Sequence, residues 1–409
     1  MPAYAVYAKV KELLNPYVDP SVDEATRERL AVLVTGMIGA ADASPARVAR
    51  ALHTMGLSGA TAESIERRIR RIENDTEITA SLCFHRFARE RLRFGSPKEL
   101  VLVLDPTLEE DHVVMLTAGV WYRGRVLPLA WAVWPANTPL TDERLWRRVE
   151  ALLDTVAELL PVGVAVTWLA DRAFGSPAFT DLVEARGWHY IVRVQGQTHC
   201  RTRTGRECSV RELVKHREQR AKLRGQVFKK RGWREASVVV YWGRRWDAPL
   251  CLVSDLPPGW RLIRLYRHRY GIEATFRDYK SGGWKWEQGQ VRDLQHVERL
   301  LVAMALATWL VLLVGTQVAD EELAKAATRH RRTPPQAAKY SLFQMGLHRL
   351  QRSVMGDWPA DFAWRLHGWT AMDWQQQISS WCIQALLFGP RRFVQQLNKM
   401  MPRTAPVRP

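Results

Sequence analysis

The sequence is poor in the residues that build disulfide frameworks and zinc sites. Its 409 residues include five cysteines, no two of which form a CxxC pair, and it contains no compact cluster of Cys and His. An odd, scattered set of cysteines excludes a disulfide framework and favours a reducing cytosol. The cysteines are Cys83, Cys200, Cys208, Cys251 and Cys382.

Acidic residues are also scarce relative to basic ones. The chain has 42 Asp and Glu against 60 Lys and Arg, a formal net charge of +18. This excess favours an anionic partner, because Lys and Arg neutralise phosphates and release condensed counterions. Nucleic acid is the commonest partner of this kind, and an anionic membrane surface is the alternative.

Long apolar runs are few. The N-terminus lacks the apolar core of a signal peptide. The run at 300–316 has 17 residues, which is at the lower limit for a membrane span. Since it stands alone after a charged amphipathic stretch, we predict a buried helix packed against a sheet, and no membrane association.

Residues 1–95 are predicted to form a helical DNA-binding domain. A helix is expected over 24–37, and Ser44 with Pro45 marks the start of another that ends near Met55. A glycine-containing turn then leads to an arginine-rich helix over about 61–72. This order indicates a helix-turn-helix DNA reader, and a small helical bundle with a solvated basic face is the alternative. The arginines are Arg67, Arg68, Arg70 and Arg71.

Residues 96–195 have the pattern of an α/β core. The apolar run 100–104, which ends at Asp105, predicts a central strand. Three antiparallel strands followed by helix, strand, helix and strand are the element order of a ribonuclease H-like core. The further elements are strands over 112–120 and 126–134, a helix over 141–159, a strand over 164–169 before Asp171, a helix over 177–186 and a strand over 188–194.

Residues 196–258 are predicted to form a basic, β-rich insertion with a short helical piece near 210–220. Between 200 and 247 there are 15 Lys and Arg against 5 Asp and Glu. Three tryptophans, Trp233, Trp242 and Trp246, lie among these cations, which suits a DNA-handling surface with stacking available to an unpaired base. A solvated basic loop is the alternative.

The chain returns to helices after 258. Residues 259–320 are predicted to complete the core with helices over 261–280 and 294–317. A break at 331–335 divides a C-terminal helical region over 321–409.

Three carboxylates stand where a metal site would need them. Asp105 and Asp171 follow strands, so they face each other across one sheet edge if the two strands are neighbours. On the helix over 261–280, Tyr266, Arg269, Glu273 and Lys280 share a stripe about 60° wide, while Asp278 points elsewhere. An exposed stripe of ion pairs is the alternative. Three carboxylates suffice for two divalent ions, because Mg²⁺ prefers hard oxygen ligands and keeps several waters.

The spacing Tyr266-x2-Arg269-x3-Glu273-x6-Lys280 resembles the YREK signature of the insertion sequence four family of DDE transposases. The segment IEATFRDYKS at 272–281, with LVSDLP at 252–257, is similar to the branch that contains the Tn-ten element. The resemblance covers about 100–318.

The resemblance implies a ribonuclease H-like core with a β insertion and two Mg²⁺ ions per site, which Mn²⁺ can replace. Asp105, Asp171 and Glu273 would be the metal ligands, and Tyr266, Arg269 and Lys280 would hold DNA. It also implies cut-and-paste transposition through a hairpin, with a homodimer acting on the terminal inverted repeats of double-stranded DNA and on target DNA. The protein would be cytoplasmic, prokaryotic and nucleoid-associated when bound.

One position departs from the family pattern. A tryptophan that stacks on a flipped base is usual at the start of the strand before the YREK helix, and this position is Leu250. Trp246 is the candidate to replace it. Two alternatives to a transposase remain open: a nuclease of the same fold that cleaves without joining, and a non-catalytic DNA-binding protein derived from a transposase.

Overall fold

The computed structural model describes residues 2–362 apart from 73, 95–96, 110–111, 290 and 329–339, with backbone alone at 323–328. The predicted break at 331–335 and most of the predicted C-terminal region lie outside the described residues. The helices are α1 (Pro2–Leu14), α2 (Glu24–Ala40), α3 (Pro45–Thr54), α4 (Ala62–Ile72), α5 (Ala80–Cys83), α6 (His85–Phe94), α7 (Asp142–Leu159), α8 (Pro177–Glu184), α9 (Trp260–Tyr266), α10 (Tyr270–Arg277), α11 (Leu294–Thr328) and α12 (Leu342–Met355). The strands are β1 (Glu99–Glu109), β2 (Val113–Tyr122), β3 (Arg125–Pro135), β4 (Ala165–Ala170), β5 (His189–Arg193), β6 (His199–Thr202), β7 (Glu207–Ser209), β8 (Arg220–Val227), β9 (Arg234–Tyr241) and β10 (Leu250–Ser254).

A sheet of ten strands runs through the described residues in the order β3-β2-β1-β4-β5-β10-β9-β8-β6-β7. Its first three strands along the chain form an antiparallel meander, and β1, β4 and β5 are parallel. This order and these directions are those of a ribonuclease H-like core, so the predicted α/β fold class is confirmed.

The first strand is longer than predicted. It pairs with β4 only as far as Leu104 opposite Ala170, but it pairs with β2 as far as Glu109 opposite Val113. The strand therefore continues past Asp105, which lies inside β1 and not at its end. The prediction was wrong on this point because the apolar run stops where the parallel neighbour stops, while the antiparallel neighbour continues.

The segment 196–258 extends the same sheet. Strand β10 lies antiparallel to β5, with Ser254 opposite Ile191, and β9, β8, β6 and β7 follow outward. The helical piece predicted near 210–220 is a single 3-10 turn at Val210–Leu213, closed by a capping box between Ser209 and Glu212.

Helix α11 lies in the core. Its segment Leu294–Glu322 is long and apolar enough to cross a membrane, but 94% of its most apolar window is buried inside the protein. The indole Nε1 of Trp309 donates to the Pro128 carbonyl of β3 at 2.9 Å. The prediction of a buried helix against a sheet is confirmed.

The N-terminal helices pack on the rest of the chain. The Ala43 N–H donates to the Trp284 carbonyl at 2.6 Å. Helix α3 begins at Pro45 as predicted, but the Ser44 side chain makes no capping bond. Buried Asp42 holds the residues before the helix, since it accepts from the Ser44 N–H at 2.8 Å and pairs with the Arg47 side chain at 2.7 Å.

Candidate active site

The two aspartates occupy equivalent positions on neighbouring parallel strands. Pairing between β1 and β4 ends with Leu104 opposite Ala170, and the next residues are Asp105 and Asp171. Hydrogen-bonded strands lie about 4.8 Å apart. The register therefore places both carboxylates at one edge of the parallel part of the sheet, as the sequence predicted.

The helical segment over 260–282 lies across this edge. Arg269 donates from Nη1 to Asp105 Oδ2 at 2.9 Å and from Nη2 to Glu273 Oε1 at 2.7 Å. The Tyr266 hydroxyl reaches Asp171 Oδ1 at 3.5 Å, the outer limit for a hydrogen bond. Arg269 thus bridges Asp105 and Glu273, and Tyr266 contacts Asp171.

The segment is less regular than the single helix predicted over 261–280. A 3-10 turn at Arg267–Arg269 joins α9 to α10, and a π turn at Asp278–Gly282 follows α10. Asp278 turns away from the stripe as predicted, because it pairs with Arg125 of β3 at 2.7 Å. Lys280 faces the far end of β1, where it donates to the Leu108 carbonyl and pairs with Glu287 at 3.2 Å.

The carboxylates differ in their exposure to solvent. The exposed fraction of the side chain is 11% for Asp105, 33% for Asp171 and 53% for Glu273. Burial raises the pKa of Asp105 to about 6; Arg269 opposes the rise, and the Asp171 and Glu273 carboxylates add to it. Acids that repel one another at an open edge favour a bound cation.

The guanidinium of Arg269 lies between Asp105 and Glu273. Among the described residues, no three Asp, Glu, His or Cys side chains stand close enough together to hold a metal ion. The available donors are nevertheless hard carboxylate oxygens, the type that Mg²⁺ prefers. The set fits a divalent ion in kind, and Glu273 can complete it only if Arg269 leaves the space between the carboxylates.

Two features near the site were not predicted. Arg193 Nη1, at the end of β5, lies 3.9 Å from Asp171 Oδ1. It could have been found by the rule that located Asp171, since it ends the next parallel strand. The His268 ring stacks on Trp121 of β2 with centroids 3.9 Å apart, and no sequence pattern indicates this contact between residues distant in the chain.

Trp246 lies in the hairpin between β9 and β10. Because β10 is antiparallel to β5, this hairpin stands at the same end of the sheet as Asp171. The Trp246 and Tyr241 rings pack edge to face, with centroids 5.3 Å apart, and 38% of Trp246 remains exposed. Leu250, where the family pattern has tryptophan, is buried.

The four N-terminal arginines lie on the outer face of α4. Its apolar side, with Ile65, Ile69 and Ile72, is buried. Arg70 pairs with Glu66 at 2.8 Å. The structure brings none of these arginines into the carboxylate cluster. The arginines, all exposed, are Arg67, Arg68, Arg70 and Arg71.

Comparison with known proteins finds a similarity between part of the chain and the DDE transposases. Residues 147–310 match the family model described as "Transposase DDE domain". The matched range includes Asp171 and Glu273 but begins after Asp105. Among solved structures, the chain is similar to a piggyBac transposase synaptic complex with hairpin DNA, at a TM-score of 0.41 and 11% identity, covering 99% of this chain and 83% of that one. No curated protein sequence matches the chain.

Proposed function

We propose that the chain is a DNA transposase of the insertion sequence four family, similar to the Tn-ten branch, which cuts transposon ends and joins them to target DNA. The observation that carries the proposal is that Asp105 and Asp171 directly follow the last paired residues of two parallel neighbours, with Glu273 held at the same edge by Arg269. The match to the transposase domain model supports it.

Asp105, Asp171 and Glu273 would hold two Mg²⁺ ions, which Mn²⁺ can replace. When bound, such ions activate the attacking oxygen and stabilise the leaving oxygen of an in-line displacement at phosphorus. Arg269 separates Asp105 from Glu273. Its withdrawal would let Glu273 join the set and would free the guanidinium for a DNA phosphate, an acceptor that suits bidentate donation.

Other residues would bind the DNA around the reacting phosphate. Tyr266, whose phenol is neutral at physiological pH and whose pKa burial raises further, can donate a hydrogen bond to a phosphate oxygen. Lys280 supplies a positive charge further along β1. Trp246 would stack on a flipped base in a hairpin step, and the α4 arginines would read the transposon end.

A joining assay tests the proposal. The substrate is DNA carrying the sequences that flank the gene, which should include the terminal inverted repeats, incubated with Mg²⁺ and a target plasmid. We expect end cleavage and insertion by a homodimer, and neither product with Glu273→Gln. Cleavage without insertion would favour the nuclease alternative. Processing unchanged by Glu273→Gln would overturn the active site.

A further inference from the structure

A strip of cations crosses the exposed face of β8, outside the candidate active site. Arg220, Lys222 and Arg224 alternate along the strand with Ala221 and Leu223, so the three cations share one face. Arg220 and Lys222 lie over the ring of Trp260, 5.0 Å and 5.8 Å from its centroid. We name Arg203, Arg220, Lys222 and Arg224 the β8 strip.

The strip is held in place without acidic partners. Arg224 donates to the Asp255 carbonyl at 2.7 Å and to the Ser237 hydroxyl at 3.2 Å. It also lines an open groove of about 530 Å³ together with Arg203, Pro257 and Pro258. The groove's acid, Asp255, is engaged by the His189 ring at 2.5 Å and the Tyr190 N–H at 3.0 Å.

Other cations of the same basic segment are already paired with carboxylates. Arg201 and Lys229 bind Glu207, at 2.5 Å and 2.6 Å, and Arg217 lies 3.5 Å from Asp247. Among the residues that the structure describes, no carboxylate lies within ion-pair distance of any strip cation. The strip therefore presents positive charge without carboxylate partners, with three of its four cations on β8 and Arg203 in the turn between β6 and β7.

The strip is continuous with the candidate active site. Trp260 is the first residue of α9, and Tyr266 is its last, about 9 Å further along the helix axis. Arg220 pairs across the sheet with Tyr241, which pairs with Leu250, at the sheet end where Asp171 lies. A polymer bound at the carboxylates can reach the strip without leaving the surface.

We propose that the β8 strip binds the phosphate backbone of duplex DNA next to the active site, without regard to base sequence. From Arg220 to Arg224 the strand covers about 14 Å, and duplex DNA carries one phosphate of each strand per about 3.4 Å of axis. Because two cations cover the Trp260 ring, that ring is not free to stack on an unpaired base. A duplex backbone therefore fits better than a single strand.

The strip proposal rests on the proposed function, but its test measures DNA binding without divalent metal. The result is therefore independent of metal-dependent cleavage and joining. Binding of a fluorescent duplex in EDTA is followed over a range of salt concentrations. We expect Arg220→Ala with Lys222→Ala to reduce the slope of log K against log salt by about 1.8, at about 0.9 per phosphate contact. The reduction should be the same for transposon-end and unrelated duplexes.

Matched variants separate a DNA contact from a folding defect. Arg217→Ala with Lys229→Ala removes the same charge from paired positions and should leave the slope near that of the parent. Arg220→Lys with Lys222→Arg should restore the parent slope. The proposal is overturned if the strip variant keeps the parent slope, if the paired control loses as much, or if the loss appears only with single-stranded DNA or with phosphatidylserine vesicles. If the strip variant loses slope as expected but the parent protein does not cleave DNA, the metal site of the proposed function would be wrong and the strip would stand.

Discussion

At the scale of single residues, the candidate site consists of charges whose environments differ. Asp105 is nearly buried and paired with Arg269, while Glu273 is half exposed. The sequence could locate Asp105 and Asp171, because each follows an apolar run that ends where the pairing between β1 and β4 ends. It located Glu273 by its place in the helical stripe with Tyr266 and Arg269. It could not foresee that Arg269 bridges two of them or that His268 stacks on Trp121, since both depend on contacts between distant segments.

The Arg269–Asp105 pair gives a prediction about stability. Arg269→Ala should lower the free energy of unfolding by about 3 kcal/mol, because it leaves a buried carboxylate without its partner. Adding Asp105→Asn to that variant should recover part of the loss, since the unpaired charge is then removed. Urea denaturation at neutral pH measures both effects. Strictly additive losses in the double variant would contradict the pairing.

His268 gives a prediction about pH. Burial lowers the pKa of His268 from 6.5 to about 4. Between these values the unfolded chain binds a proton at His268 that the folded protein does not, so the contribution of His268 to stability falls as pH decreases from 6.5 to 4. Buried His85 acts in the same direction and Asp105 in the opposite one. The loss from His268 is at most about 3 kcal/mol. His268→Phe, which keeps a ring on Trp121, should remove this contribution, so the variant should gain stability relative to the parent as pH decreases from 6.5 to 4.

The control for this experiment is His53→Phe, a change at an exposed histidine. It should leave the acid-induced loss as it is in the parent. A parent that loses no more stability than His268→Phe between pH 6.5 and 4 would show that His268 does not carry the effect.

At the scale of elements, the sequence predicted which segments form strands and which form helices, but it did not predict the local irregularities within them. The sequence predicted the meander, because β2 and β3 are apolar and a turn containing Gly124 separates them. In the structure, Arg123 and Gly124 take the positive φ angles of a tight hairpin turn. The 3-10 and π turns around α10 were not predictable, because a 100° periodicity assumes a regular helix. The helix α10 between them packs against β1 and β3, and the sequence does not display these contacts.

The crossing of α11 and α12 depends on two glycines. A Cβ at Gly346 would overlap the Val311 carbonyl, and one at Gly315 would overlap the Leu342 carbonyl. Gly346→Ala should therefore lower the free energy of unfolding by about 2 kcal/mol, because backbone cannot yield as a flexible side chain can. Gly59→Ala, where a Cβ meets no atom within 4 Å, is the control. Equal stability of the two variants in chemical denaturation would contradict the close crossing.

At the scale of the whole molecule, one sheet joins the predicted core to the predicted insertion. The divisions at 195/196 and 258/259 follow changes in composition and remain predictions of separate units. The strands on either side of them are hydrogen-bonded to each other through β5 and β10. Composition records where charge accumulates, whereas hydrogen bonding between strands depends on register, so the common sheet could not be read from the residues. This continuity connects the basic surface to the carboxylate edge.

The central claim is that Asp105, Asp171 and Glu273 form one metal-dependent site for cutting DNA. Mg²⁺-dependent cleavage of a plasmid carrying the terminal repeats, compared between the parent and Asp171→Asn, tests it most directly. Asp154→Asn is the control, because it makes the same change at a carboxylate on α7 that pairs with Arg186 and is not one of the three candidate ligands. We expect Asp171→Asn to cleave at least about a hundredfold more slowly while still binding DNA, since losing a metal ligand costs several kcal/mol of transition-state stabilisation. Cleavage by Asp171→Asn at the rate of the parent and of Asp154→Asn would contradict the claim.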